Sequence, residues 1–167
     1  MDKQVVILFG LPGAGKTYIG KLLEKEFGFF FYDGDSDLTE EMKIAIKTKT
    51  PFTNNMRNMY FERLIKKIQT LTKKQKKLVV SQTFIKDRYR KNLLEKVPYA
   101  LFFLIDTNTP LREERLKKRT DYPLDLSYTR RMVENFESPS VPHVIIDNSL
   151  EGENDLKKQL RLLFEPM

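Results

Sequence analysis

Gly10-Leu11-Pro12-Gly13-Ala14-Gly15-Lys16-Thr17 is the stretch on which the reading of this chain turns. It satisfies the pattern G-x-x-x-x-G-K-[ST] in full, and its flanks agree with it. The apolar run Val5–Phe9 precedes it, and Ile19, Leu22, Leu23 and Phe27 follow at helical spacing. Glycine at 10, 13 and 15 admits backbone conformations closed to other residues and lets N–H groups approach phosphate oxygens. A helix over Lys16–Phe27 turns its positive end toward the same oxygens. Lys16 places a point charge on the β- and γ-phosphates, and Thr17 offers a hydroxyl to Mg²⁺. The expectation is a site for ATP with Mg²⁺, in which Ala14 and Tyr18 also touch the nucleotide.

Working outward, four more short apolar runs read as strands: Phe29–Tyr32, Leu78–Ser81, Ala100–Ile105 and Val144–Ile146. Several are continuously apolar, as expected of parallel strands covered on both faces. Between and after them, Asn54–Thr72, Leu111–Arg119, Tyr128–Glu137 and Glu153–Phe164 carry apolar residues at helical spacing. Alternating strands and helices imply an α/β fold with a parallel sheet and right-handed crossovers. Proline and polar residues mark loops at 47–53, 120–127 and 138–142. With 167 residues, no repeat and no linker, the chain reads as a single domain over 1–167.

The chemistry available is bounded by composition. There are no cysteines, which excludes disulfides, thiolate metal sites and cysteine nucleophiles and is compatible with a reducing cytosol. The net charge of +7 favours anionic ligands, but Lys and Arg are mixed with Glu along the chain. The densest run, Lys73-Lys74-Gln75-Lys76-Lys77, reads as a solvated helix-to-strand turn rather than a nucleic-acid patch. No apolar stretch is long enough to span a bilayer, and Val5–Phe9 is too short for a secretory leader. A cytoplasmic protein without membrane or nucleic-acid partners is expected, as a monomer or homodimer.

Asp33-Gly34-Asp35 directly follows the second apolar run. Ligands of open α/β sheets gather at the carboxyl ends of strands, so both carboxylates should face the phosphate loop. Phosphoryl transfer needs a group that orients the nucleophile and accepts its proton, and a hold on Mg²⁺. Two acidic residues can divide those tasks, although Asp-Gly-Asp is also ordinary turn chemistry. The single histidine, His143, between Pro142 and a strand, reads as structural.

Taken in order, these pieces resemble the shikimate kinase and gluconokinase branch of the nucleoside monophosphate kinase-like fold. The gluconokinase-like pattern opens with Asp-Gly-Asp, matched at Asp33–Asp35, and continues to a Pro-Leu-x-Asp-x-Asp-Arg segment, met by Pro51–Arg57 at the same spacing. Thr83-Phe84-Ile85-Lys86-Asp87-Arg88-Tyr89-Arg90 aligns with its Ser-Ala-Leu-Lys-x-x-Tyr-Arg, and Arg115-Leu116-Lys117-Lys118-Arg119 with its lid entrance. The resemblance implies a three-layer P-loop kinase fold, a five-stranded parallel sheet in the order 2-3-1-4-5 with helices on both faces. It also implies an acceptor-binding helical region at about 36–72 and a short lid at about 119–128.

By the same resemblance, Asp35 orients the acceptor hydroxyl and takes its proton while Asp33 contacts Mg²⁺ with Thr17, a split that could be reversed. Arg115 covers the adenine, and Arg119 joins Lys16 in stabilising the transferring phosphoryl. Arg57, Lys86 and Arg90 face the acceptor. One of Arg130 and Arg131 enters from beyond the lid, Arg131 being the candidate carried forward. Asp147-Asn148-Ser149 borders the adenine or is a plain turn. The chain departs from the family between Asp35 and Pro51, where polar residues give way to Leu38-Thr39, Met42, Ala45 and Lys49, and again at Asn54 and Met56. The scaffold and chemistry therefore transfer better than the substrate.

The activity implied is transfer of the ATP γ-phosphoryl to a hydroxyl of a small anionic metabolite, a sugar acid or a shikimate-like acid. Two other readings stand beside it: a nucleotide or nucleic-acid 5′-hydroxyl kinase, and a non-enzymatic nucleotide-binding module.

Overall fold

The structure, a computed structural model, describes residues 2–119, 125–149 and 152–165. Five strands form one parallel sheet: β1 (Gln4–Phe9), β2 (Phe30–Asp33), β3 (Lys77–Ser81), β4 (Ala100–Asp106) and β5 (His143–Asp147). Their order is β2-β3-β1-β4-β5, as the resemblance implies. Among the described residues lie the helices α1 (Lys16–Phe27), α2 (Glu40–Lys47), α3 (Asn54–Lys74), α4 (Asp87–Lys96), α5 (Thr109–Lys118), α6 (Leu126–Asn135) and α7 (Glu153–Phe164).

Alternation along β1 divides the interior in two. Val5, Ile7 and Phe9 face a core built with Tyr60, Phe61, Leu64 and Ile68 of α3 and Tyr89 and Leu93 of α4. Val6 and Leu8 face a second core with Ile19, Leu22 and Leu23 of α1 and Leu156 and Leu160 of α7. With both faces covered, the central strands are apolar throughout. The basic run Lys73–Lys77 spans the end of α3 and the start of β3, the helix-to-strand turn expected of it.

The sheet differs from expectation at β2, which begins one residue later, at Phe30. Gly28 closes α1 in the left-handed region (φ 72), and the Phe29 N–H still bonds to the Leu23 carbonyl. Phe29 thus belongs to the helix cap, while Asp33 pairs with Ser81. Two short helices are additional. Thr39 caps α2 by accepting from the Met42 N–H, within the helical region expected at 36–72. α4 escapes a periodicity reading because one of its buried positions is occupied by an arginine, Arg90. Half of the lid expected at about 119–128, residues 120–124, falls outside the described residues.

Candidate functional site

The phosphate loop joins β1 to α1 and is held from behind. The Ala14 carbonyl accepts from Thr107 Oγ1 (2.9 Å), Asn148 Nδ2 (2.8 Å) and Arg115 Nη1 (3.2 Å). Those three donors follow β4, follow β5 and sit on α5, so three elements converge on one peptide group. Gly15, the residue before α1, has φ 100; a Cβ there would lie 2.3 Å from Asn148 Nδ2 and remove the strut. No side chain caps α1, so its first N–H groups stay directed at the site. Lys16 Nζ donates to the carbonyls of Gly10 and Leu11, both at 2.9 Å. Burial pulls its pKa down to about 8, against the pull of the nearby Asp35 carboxylate.

Across the cavity, a 3₁₀ turn at Gly34–Asp37 carries the carboxylates into place. Asp33 caps that turn, its Oδ1 accepting from the Asp35 N–H at 2.9 Å and from Ser81 Oγ at 3.5 Å. Gly34 packs against β3 so closely that a Cβ would approach the Ser81 carbonyl to 2.8 Å. Asp35 opens to the cleft but is ringed by protein. That surrounding pushes its carboxyl above the usual range, and the Asp33 charge adds to the effect; Lys16, Arg119 and a hydrogen bond from Gln82 oppose it.

Gln82, which the sequence reading passed over, organises this side. Its Nε2 donates to Asp35 Oδ1 (3.2 Å) and to the Tyr60 hydroxyl, and its Oε1 accepts from the Thr83 N–H (2.6 Å). Tyr60 in turn donates to the Gly34 carbonyl at 2.6 Å. The available signal was positional, since Gln82 is the first residue beyond β3.

The two sides line a single cavity of about 460 Å³. Gly13, Gly15, Lys16, Thr17 and Tyr18 face Asp33, Asp35, Arg57, Lys86, Arg115 and Arg119 across it. Arg119 sits where its charge acts on both sides, disfavouring the Lys16 proton and favouring the Asp35 carboxylate. Arg57 reaches the cavity from the first turns of α3, and Lys86 does so while paired with Glu137 at 3.4 Å. A second cavity of about 390 Å³ shares Gly15, Tyr18 and Arg115 with the first and adds Asn148 and Glu153. Arg115 borders both, anchored by the Asn148 carbonyl at 3.1 Å.

Thr17 and Asp33 line the same cavity, and Asp33 Oδ2 makes no hydrogen bond among the described residues. One hydroxyl and one carboxylate oxygen suit Mg²⁺, which keeps most of its waters and takes its other ligands from phosphates.

Two expected site residues are elsewhere. Arg90 is fully buried and does not line the cavity. Its guanidinium donates to the carbonyls of Phe84 (2.8 Å), Glu137 (2.8 Å) and Ile85 (3.2 Å) and to Asp87 Oδ1 (3.2 Å). It is also stacked between the Phe9 and Phe136 rings, 5.1 and 4.7 Å from their centroids. Those bonds hold Phe84 at φ 50, a conformation costly for a bulky residue. Arg90 is therefore structural, not a substrate ligand. Arg131 lies outside the cavity, donating to the Lys49 carbonyl at 2.9 Å, and Arg130 pairs with Glu113 at 2.9 Å on the surface. Tyr128 and Met132 are the α6 residues that line the cavity instead. His143 bonds locally, through Nδ1, to the Val141 carbonyl.

Comparison with known proteins adds lineage to this geometry. A family model described as "AAA domain" matches residues 6–139. A "Probable gluconokinase" of Xenopus tropicalis is 23% identical over 182 residues, covering 93% of this chain and 96% of that protein. A shikimate kinase of Buchnera aphidicola is 26% identical over 163 residues, covering 95% and 92%. The crystal structure of a gluconokinase from Sinorhizobium meliloti superposes with a TM-score of 0.79 at 23% identity, covering 97% of this chain and 94% of that one. At that identity the likeness is one of fold.

Proposed function

The chain belongs to the AAA domain family, and from its site we propose that it is an ATP-dependent small-molecule kinase, transferring the γ-phosphoryl of ATP to a hydroxyl of a small anionic acceptor. One observation carries the reading: the phosphate loop with Lys16 and the carboxylate of Asp35 line the same cavity, with Arg119 acting electrostatically on both. The gluconokinases and shikimate kinases to which the chain is similar support the acceptor class. A cytoplasmic setting belongs to the same reading.

The phosphates rest on the backbone N–H groups of Gly13–Thr17 and on Lys16, and the nucleotide base takes the second cavity beside Arg115 and Tyr18. Residues 36–72 supply the acceptor side. Asp35 accepts the proton of the acceptor hydroxyl; its raised pKa makes it a stronger base than a surface carboxylate. The acceptor oxygen forms a bond to the γ-phosphorus as the bond to the ADP oxygen breaks, and Lys16 and Arg119 hold the charge that spreads over the equatorial oxygens. Thr17 and Asp33 would hold Mg²⁺, which would supply positive charge against the phosphates.

The test is ADP formation with the purified chain, ATP and Mg²⁺ against panels of sugar acids, shikimate-like acids, nucleosides and nucleotides. Acceptor-stimulated turnover that disappears in Asp35→Asn is expected. Turnover indifferent to every acceptor, or untouched by that substitution, would refute the assignment.

A further inference from the structure

Helix α2 ends in a turn that glycine normally closes. The Thr50 N–H bonds to the Ala45 carbonyl at 2.7 Å and the Lys49 N–H to the Ile46 carbonyl at 3.1 Å. Such paired bonds end a helix whose next residue turns into the left-handed region. Here that residue is Lys49, at φ 57. A Cβ makes the conformation unfavourable, whereas glycine takes it freely. Lys49 is also one of the positions at which the chain departs from the family pattern. A side chain kept at a strained position points to work done by that side chain.

Every polar group of Lys49 is engaged. Its N–H closes the turn, its carbonyl accepts from Arg131 Nη2 at 2.9 Å, and its Nζ pairs with Asp125 Oδ2 at 3.1 Å. Asp125 is the N-cap of α6, accepting from the Ser127 and Tyr128 N–H groups. Arg131 lies further along α6, its guanidinium 5.5 Å from the centroid of the Tyr128 ring. Lys49 thus ties the segment after α2 to α6, and both of these wall the cavity. Ile46 and Phe52, on either side of Lys49 in sequence, line it from one; Tyr128 and Met132 line it from the other.

The tie is a light one. α2 buries only Met42 and Ala45, and residues 47–51 are exposed. A segment with so few buried side chains opens locally at low cost. The Lys49–Asp125 pair is itself exposed, so it holds weakly and is screened by salt. This is the construction of a fastening that comes undone, not of a permanent wall.

We propose that residues 40–53 form a strap over the acceptor side of the cavity, fastened to α6 by Lys49, and that its release controls passage between solvent and that side. Fastened, the strap holds Ile46 and Phe52 on the cavity with Tyr128 and Met132; released, it carries Met42, Ile46 and Phe52 away from α6. A glycine at position 49 would keep the turn and lose the pair with Asp125. Lys49 is a positioning residue in this scheme. The proposal rests on the phosphotransferase reading only in calling this the acceptor side.

The chain has no cysteine, so a single introduced thiol reports alone. Met42→Cys places one on the strap, at a buried position that lines the cavity. Its reaction with the uncharged reagent 4,4′-dithiodipyridine is followed by absorbance, with Mg²⁺ and a non-hydrolysable ATP analogue present. Adding Lys49→Met is expected to speed labelling by up to about fivefold at low salt, the scale of an exposed ion pair. Added salt should speed the reporter that retains Lys49 and leave the Lys49→Met form where it was. Lys49→Arg, which keeps the charge, should restore slow labelling, and Arg131→Met should speed it as Lys49→Met does. A second reporter, Leu93→Cys, buried in α4 away from the strap, should keep its rate throughout. Labelling at Met42→Cys that ignores both Lys49→Met and salt, or that rises only together with labelling at Leu93→Cys, would overturn the proposal. The ADP assay is scored apart from this. A responsive thiol without acceptor-stimulated turnover supports the strap and counts against phosphotransfer; turnover with an unresponsive thiol does the reverse.

Discussion

The two halves of the cavity are built on different principles. The nucleotide half is backbone: a glycine-bearing loop, the uncapped start of α1, and a single peptide group, Ala14, braced by Thr107, Arg115 and Asn148. The acceptor half is side chain: Asp35, Gln82 and Tyr60 in one network, Arg57 on α3, and apolar residues from 38 to 52. A backbone site binds what every nucleotide shares, its phosphates. A side-chain site can be rewritten without disturbing the first. On that contrast, nucleotide use and acceptor choice should be separable, an expectation that experiment can break.

The largest effect should come at Asp35. In Asp35→Asn the acceptor-dependent kcat is expected to fall roughly a hundredfold to ten-thousandfold, the range for loss of a general base. ATP affinity, measured by titration, should change far less, because Asp35 makes no hydrogen bond to the nucleotide half and reaches it only through its charge on Lys16. Loss of both together would show that the halves are not separable.

Arg90→Met sharpens the comparison from the stability side. The change strips the partner from the buried Phe84 carbonyl and the part-buried Glu137 carbonyl, leaves the Ile85 carbonyl with only the Glu137 N–H, and should cost roughly 2 kcal/mol or more in denaturant unfolding, since each orphaned group costs about 1–3 kcal/mol. ATP affinity below the transition should hold better than acceptor binding, because the Arg90 hydrogen bonds go to residues 84–87 and 137 and its only link toward the phosphate loop is the stack on Phe9. A stable Arg90→Met variant with a specific loss of acceptor binding would restore Arg90 as a ligand.

Arg57 and Arg90 also show why one half was legible in the sequence and the other was not. The phosphate loop needs glycine at set positions within eight contiguous residues, so chemistry and spacing coincide in one stretch. The strands and the order of the sheet follow from continuous apolar runs and from the family resemblance. The acceptor half draws on residues from 33 to 132 whose types are ordinary for a core, and nothing local distinguishes a Met42 or Phe52 that faces a ligand from one that fills space. Arg57 and Arg90 each lie on a helix and each match the family pattern; only packing sends one to the cavity and the other between Phe9 and Phe136. Arg131 was drawn in by the same logic and is instead spent on the Lys49 carbonyl.

The nucleotide half has its own signature in pH. Lys16 is held down to about 8 chiefly by burial, so it is protonated below that pH and progressively neutral above it. Phosphates favour the protonated form. Nucleotide affinity should therefore be flat below about pH 8 and weaken above it, by up to about tenfold per pH unit. Titration calorimetry across this range, with Lys16→Met as the pH-independent reference, checks the point.

The smallest effect is the most discriminating for the acceptor half. Gln82 donates to Asp35 and so favours its ionised form, while the Asp33 charge disfavours it. Asp35 must be ionised to accept a proton, so kcat/KM should fall toward acid as the carboxyl is protonated. Gln82→Leu removes a bond made to the carboxylate, raises the Asp35 pKa further, and moves that acid limb to higher pH. Asp33→Asn removes a like charge and moves the limb to lower pH, whatever it does to the maximal rate. Opposite displacements from two neighbours of one carboxyl are what a general base at Asp35 requires, because both act through its ionisation. A Gln82 that only packed against Tyr60 would lower kcat/KM at every pH and leave the limb where it was. If the base were Asp33, Asp33→Asn would abolish the limb instead of shifting it, and the division of labour between the two carboxylates would be the reverse of the one proposed.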